Sequence, residues 1–151
     1  MSEIDRSFRV RNVGSGLLLE VYGGRTAAGV RVQQGSPPGS GDLAGQLWRI
    51  TPVYEGSALR HVVSVASGKR LDVTGASLEP GAPIQQWRAN NFGAQEWLLE
   101  EHVAKPGTYS LVSYLSGLLL EIPGSSKEEG APALQGEDID SPFQWWTLEA
   151  V

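Results

Sequence analysis

The chain has 151 residues, with 19 Gly, 9 Pro, 5 Trp and no Cys, and its formal net charge is −5. This length is close to that of one average domain, about 150 residues, so we expect a single domain over 1–151. The chain has no run of 18 apolar residues and therefore no expected transmembrane helix. The lack of Cys excludes disulfide and thiolate chemistry. The charge is spread without a basic patch, so we expect neither nucleic acid nor an anionic membrane as a partner.

The N-terminal segment 1–5 is acidic and polar, unlike the charged and then apolar start of a signal peptide. We therefore expect cytoplasmic synthesis without a signal peptide, and any extracellular action would follow release.

Short segments rich in aromatic and β-branched residues recur along the chain, as is typical of half-buried strands. A Ser-Gly pair follows each first segment and predicts a hairpin. The hairpin contains the first two strands of each repeat. A third strand is predicted later in the repeat, and a fourth begins at a Gln-x-Trp sequence. The first strands are predicted at 8–13, 60–65 and 109–114, and the third at 29–34, 81–87 and 130–135. No segment has a convincing amphipathic-helix period, so about twelve short strands are expected.

Two landmarks show that the chain is a threefold repeat. The three Gln-x-Trp sequences are 49 residues apart, and Ser-Gly-x-x-Leu-(Asp/Glu)-(Val/Ile) precedes each of them. The repeats span about 8–50, 59–99 and 108–149. Repeat one is three residues longer than the other two repeats, and we expect this insertion to lie within 36–41. A unit of this size cannot bury its apolar face alone, and closing three units together also removes exposed sheet edges. The sequence therefore predicts an all-β, pseudo-threefold fold.

These two co-registered motifs resemble those of the ricin-B-type β-trefoil lectins, and the resemblance covers about residues 8–149. It implies a β-trefoil fold and glycans or glycoconjugates as partners. In that family the motif Trp lies in the core and the motif Gln ties the loop of its repeat. The residues expected to be structural on this basis are Gln46, Trp48, Gln95, Trp97, Gln144 and Trp146.

The resemblance also implies a sugar pocket. In the family, an acidic residue accepts hydrogen bonds from sugar hydroxyls, and an aromatic residue fifteen positions later stacks on the pyranose. Repeat two fits this pattern best, which points to galactose or N-acetylgalactosamine-type glycans. The implied sugar-binding residues are Asp72, Gln85, Trp87, Asn90 and Asn91.

Two observations from the sequence bear on that site. Trp87 stands where the other repeats have Gly35 and Gly136, so the repeated core does not require a large residue there. Ala94 departs from the family pattern, because galactose-binding members commonly carry Asn at this position. Asp72 could instead bond the amides of the following turn, as Asp commonly does.

Repeats one and three depart further from the family pattern. Glu20 and Glu121 replace the Asp, and the aromatic platform is missing from both repeats. Tyr22 and Phe143 are nearby aromatic residues that could substitute for it. We therefore predict weaker secondary pockets at Glu20, Tyr22 and Glu121.

The sequence has few candidate catalytic groups, so we expect a binding protein without a metal or cofactor. The two histidines lie in different contexts, and neither metal-ligand spacing nor a Gly-x-Ser-x-Gly turn is present. Two alternatives stay open, because fold does not decide function. One is a protein-binding trefoil, such as a protease inhibitor acting through the loop at 36–41 or 125–130, and the other is a degenerate trefoil with a structural role. Since one sugar site gives modest affinity, a homodimer would supply avidity.

Overall fold

The computed structural model describes residues 6–37 and 44–151. Over these residues the chain forms twelve β-strands and six single-turn 3₁₀ helices, so the predicted all-β class is confirmed. The strands are β1 (Ser7–Asn12), β2 (Leu18–Val21), β3 (Val32–Gly35), β4 (Trp48–Pro52), β5 (Leu59–Ser64), β6 (Arg70–Val73), β7 (Ile84–Trp87), β8 (Trp97–Glu101), β9 (Thr108–Ser113), β10 (Leu119–Glu121), β11 (Leu134–Gly136) and β12 (Trp146–Ala150). The 3₁₀ helices are Tyr22–Gly24, Ala44–Gln46, Thr74–Ala76, Gly93–Gln95, Pro123–Ser125 and Pro142–Gln144.

Six strands close into an antiparallel barrel. β1 pairs with β4 and β12, β5 pairs with β4 and β8, and β9 pairs with β8 and β12. The other six strands form one hairpin in each repeat (β2–β3, β6–β7 and β10–β11). Single bridges join these hairpins to one another, between Arg31 and Gln85, Pro83 and Leu134, and Pro132 and Gln33. This is the β-trefoil arrangement that the sequence predicts.

The motif tryptophans form the centre of the core. Trp48, Trp97 and Trp146 are fully buried among Val, Leu and Ile side chains from all three repeats. A buried indole N–H needs an acceptor, and each one donates to a backbone carbonyl of β2, β6 or β10 in its own repeat. The acceptors are the carbonyls of Leu19, Leu71 and Leu120, at 3.0, 3.1 and 3.0 Å.

A second set of buried glutamines closes the threefold arrangement. Gln34, Gln86 and Gln135 are fully buried, and the Oε1 of each accepts a hydrogen bond from the Ser of the Ser-Gly pair in its own repeat. Their Nε2 groups donate to loop carbonyls of a neighbouring repeat, so the contacts run in a cycle around the axis. The accepting carbonyls are those of Ser126 and Glu128 for Gln34, Arg25 and Ala27 for Gln86, and Ser77 and Glu79 for Gln135.

The Ser-Gly turns have the backbone that the sequence implies. The glycines at 16, 68 and 117 have φ angles of +76°, +72° and +73°, a region that other residues rarely adopt. Of the predicted insertion at 36–41, residues 36 and 37 belong to the described chain, and 38–41 lie outside the described residues. In the described ranges, no helix combines the length and the apolar character needed to cross a membrane.

Candidate functional site

The repeat-two hairpin forms one wall of a surface cleft of about 460 Å³. Of the predicted sugar-binding residues, Asp72, Gln85, Trp87 and Asn90 line this cleft. Asn91 is exposed and lies outside the lining. The sequence did not identify the other lining residues as a site, and they are Thr74, Gly75, Ala76, Phe92 and Ala94.

The Asp72 carboxylate lies at the base of the cleft, with 5% of the residue exposed. Gln85, directly opposite on β7, donates its Nε2 to Oδ1 at 3.0 Å. The motif Gln95 donates its Nε2 to Oδ2 at 3.1 Å and to the Arg88 carbonyl at 2.8 Å. These two amides fix the orientation of the carboxylate. Gln95 therefore ties its loop and also positions the acid, a second role that the sequence did not reveal.

Burial dominates the electrostatics of Asp72. Loss of solvation disfavours the charged form and raises the pKa of this carboxyl above its usual value of 3.8, although the hydrogen bonds from Gln85 and Gln95 lower it in part. A buried carboxylate with few competing water molecules is a strong acceptor for a ligand hydroxyl.

Trp87 forms the aromatic wall of the cleft and is half-buried. Trp87 pairs across the hairpin with Arg70. The Nη1 of Arg70 donates to the Asn90 carbonyl at 3.1 Å and lies 3.4 Å from Gln95 Oε1. Arg70 thus supports the loop that faces Trp87. In the other repeats the same cross-strand pair joins Leu to Gly, namely Leu18 to Gly35 and Leu119 to Gly136. The sequence motifs do not point to Arg70, although it replaces a Leu that the other two repeats share.

The far wall of the cleft is the loop before the Gly93–Gln95 helix. Asn90 Oδ1 accepts the Phe92 N–H at 3.0 Å, and Gln95 Oε1 accepts the Asn90 N–H at 3.1 Å. These bonds hold the loop and leave Phe92 69% exposed. Ala94 is buried and small, so this wall has no amide at the position where the family commonly carries Asn.

Repeat one holds its acid in a similar way but lacks the aromatic wall. Glu20 accepts Gln33 Nε2 at 2.8 Å and Gln46 Nε2 at 3.0 Å. A β-carbon at Gly35 would overlap the Glu20 carboxylate, which therefore fills the place of a stacking platform. Tyr22 is 40% exposed and lies beside two arginine side chains rather than in the lining of the small cleft at Glu20.

Repeat three has the smallest cleft, about 140 Å³. Glu121 accepts Gln144 Nε2 at 2.9 Å, but Leu134 takes the place of the second Gln. Phe143 lines this cleft with Glu121, but it is 9% exposed and packs closely against Gly14, so its ring belongs mainly to the core.

Another cleft of about 460 Å³ lies among the barrel strands. Among the described residues its lining is apolar and basic and includes no carboxylate, so these residues lack the acid, amide and aromatic combination of repeat two. The lining residues are Arg6, Phe8, Ile50, Pro52, Arg60, Gly107, Tyr109 and Leu148. Across the described ranges, no cluster of three or more His, Cys, Asp or Glu side chains could hold a metal ion.

Comparisons with known proteins bear on the fold and the family. A family model described as ricin-type β-trefoil lectin domain-like matches residues 2–87. A search of curated proteins gave no match. Among solved structures, the designed threefold-symmetric protein ThreeFoil is 29% identical with a TM-score of 0.88, over 96% of this chain and 99% of its own.

Two natural proteins share the fold. The exo-β-1,3-galactanase 1,3Gal43A from Clostridium thermocellum is 28% identical with a TM-score of 0.89, over 97% of this chain, which spans only 30% of the galactanase. The Macrolepiota procera ricin B-like lectin, solved with lactose, is 17% identical with a TM-score of 0.79, over 99% of this chain and 97% of its own. The predicted β-trefoil and its family are confirmed, and the chain belongs to the ricin-type β-trefoil lectin domain-like family.

Proposed function

We propose that this protein is a lectin that binds galactose or N-acetylgalactosamine-type glycans through the repeat-two cleft. The observation that carries the proposal is the Asp72 carboxylate, held by Gln85 and Gln95 beneath the Trp87 wall. Over the part of the chain that the structure describes, repeat two alone brings the acid, the two amides and an aromatic side chain together.

The carboxylate has acceptor capacity left for a ligand. An ionised carboxylate has about four lone-pair sites, and the two glutamine amides use one on each oxygen. The remaining sites suit the two adjacent hydroxyls of a hexose. Because the amides already fix the carboxylate, a sugar bound there does not have to order it.

Trp87 suits the other side of the sugar. A pyranose has an apolar C–H face, which packs against an aromatic ring, while its hydroxyls turn toward polar groups. The Arg88 guanidinium lies 5.4 Å from the Trp87 ring centre and thus adds positive charge next to this platform.

The cleft supports binding rather than hydrolysis. Glycosidases commonly use two carboxyl groups about 5–10 Å apart across the scissile bond. Among the described residues that line the cleft, Asp72 is the only one with a carboxylate. The solved complex of the M. procera lectin with lactose, a galactose-containing disaccharide, supports the choice of sugar class.

The test is titration of lactose, galactose and N-acetylgalactosamine by calorimetry, together with a glycan array, for the wild type and Trp87→Ala. We expect Trp87→Ala to abolish binding while the unfolding curve stays unchanged. Trp145→Ala is the matched control, because Trp145 is also half-buried but lies against His102 and Lys105, outside the cleft. Undiminished glycan binding by Trp87→Ala would show that the site is wrong.

We also propose that avidity comes from further sites or from a homodimer, since a monosaccharide buries little surface. The Glu20 and Glu121 clefts are the candidates for weaker secondary sites. Light scattering measures the oligomeric state, and a monomer with one titratable site would contradict this proposal.

A further inference from the structure

We propose that the repeat-two cleft continues into an arginine cluster, defined as Arg25, Arg31 and Arg88, which recognises a carboxylate or sulfate on the glycan. This inference rests on the proposed function, since it assigns the neutral sugar to Asp72 and Trp87. It adds to that function the chemical class of the ligand, which is an acidic galactose-type oligosaccharide.

The first observation is the pair of arginines on the repeat-one hairpin. The guanidinium carbons of Arg25 and Arg31 lie 4.9 and 4.7 Å from the centre of the Tyr22 ring. Arg31 Nε also donates to Gln33 Oε1 at 3.0 Å. These contacts hold both side chains in place while the residues stay exposed. A guanidinium that is already oriented loses less freedom when it binds an anion.

The second observation is that this segment adjoins the cleft. Residues 29–31 run antiparallel to β7, with hydrogen bonds from Gly29 N to the Gln86 carbonyl and from Gln86 N to the Val30 carbonyl. Arg31 pairs with Gln85, and a β-carbon at Gly29 would lie 3.6 Å from the Trp87 ring. Residues directly opposite in an antiparallel pair share one face. A glycan that stacks on Trp87 and extends over Gly29 therefore meets the arginines.

The third observation is charge. The chain carries a net charge of −5, yet Arg25 and Arg31 belong to a segment whose backbone contacts β7, and Arg88 lies at the Trp87 ring. Within the described residues the one ion pair joins Arg11 to Glu149, so no carboxylate of that part of the chain is paired with an arginine of the cluster. The nearby Glu20 carboxylate accepts the amides of Gln33 and Gln46 instead. The sequence showed no basic patch because the cluster forms only when two hairpins meet.

Arg31 is also not required by the fold. It occupies the axial bridge position that Pro83 and Pro132 occupy in the other two repeats. Two repeats close without a charged side chain there, so closure does not require the Arg. Guanidinium forks bind carboxylate and sulfate oxygens with two parallel hydrogen bonds, and this defines the ligand class.

The experiment compares lactose with lactose bearing a sulfate on galactose O3, a sulfate on galactose O6, or an N-acetylneuraminic acid on either position. Affinities are measured by calorimetry in 20 mM and 500 mM NaCl for the wild type and Arg25→Met/Arg31→Met, which keeps an unbranched apolar stem at each position and removes the guanidinium. Arg49→Met is the control, because Arg49 is exposed on β4 and belongs to none of these contacts.

We expect at least one acidic ligand to bind the wild type about fivefold to tenfold more tightly than lactose at low salt. High salt should remove that preference, and the double substitution should weaken it, because only Arg88 of the cluster then remains; neither should change the affinity for lactose. Comparison of the sulfated ligands with those that carry N-acetylneuraminic acid shows which anion the protein binds. Equal affinity for neutral and acidic ligands, or a preference that the double substitution leaves undiminished, would overturn the inference and leave the proposed lectin function intact. Failure to bind any ligand, including lactose, would overturn both.

Discussion

The Glu20 carboxylate occupies the space that a β-carbon at Gly35 would need. Glu121 and Gly136 repeat this relationship, whereas repeat two combines the shorter Asp72 with Trp87. The acid and the residue fifteen positions later are thus matched in size. A long acid requires Gly, and a short acid leaves room for an aromatic platform.

This size match predicts a coupling between positions 20 and 35. Gly35→Trp alone should destabilise the protein, because the new side chain collides with Glu20. Glu20→Asp/Gly35→Trp should recover much of the loss, with a coupling free energy of about 1–3 kcal/mol. Urea unfolding of both single variants and the double variant measures it. If the free-energy changes of the two single variants simply add in the double variant, the size match between positions 20 and 35 does not govern the site.

Adjacent glutamines in β7 should have separate roles. Gln86→Ala removes three hydrogen bonds at a fully buried position and should lower the free energy of unfolding by about 2–4 kcal/mol. Gln85→Ala, in the half-buried neighbour that holds Asp72, should instead weaken glycan binding with little effect on stability. Chemical unfolding and calorimetric titration of both variants check this. Similar stability losses for the two variants would contradict it.

Substitution of Trp97 should likewise lower stability more than substitution of Trp87. Trp97→Phe leaves the buried Leu71 carbonyl without its indole donor and opens a cavity, so we expect a loss of about 1–3 kcal/mol. Trp87→Phe keeps an aromatic ring at the cleft and should change stability by less than about 0.5 kcal/mol. Thermal or urea unfolding of the pair measures the difference, and equal losses would place Trp87 in the core.

The raised pKa of Asp72 predicts opposite effects of acid on binding and on stability. Glycan affinity should fall as the pH drops through the pKa of Asp72, above the usual 3.8, because the acceptor becomes protonated. The contribution of Asp72 to stability is fully present below the unfolded pKa and is lost as the pH rises through the folded pKa.

Titrating lactose from pH 7 to pH 4, with unfolding measurements on the wild type and Asp72→Asn, tests both effects. The stability of the wild type relative to Asp72→Asn should decline as the pH rises through this window. A difference that stays constant with pH would show that burial does not perturb this carboxyl.

Much of the fold could be predicted because its determinants are local and repeated. The alternating segments and the Ser-Gly pairs specify strands and hairpins. The 49-residue spacing of Gln46, Gln95 and Gln144 specifies three equivalent units. Such patterns are readable in one sequence because strand periodicity and turn chemistry act over a few residues.

The sequence by itself determined the threefold trefoil. It also determined the group formed by Asp72, Gln85 and Trp87, because these three residues lie on one hairpin. Only the tertiary structure decided that Gln34, Gln86 and Gln135 close the repeats in a cycle and that Arg70 supports the loop facing Trp87. It also decided that Arg31 adjoins the cleft of another repeat. These contacts join residues that are far apart in sequence. Their partners are set by the closure of the three repeats around one axis, which local sequence patterns do not encode.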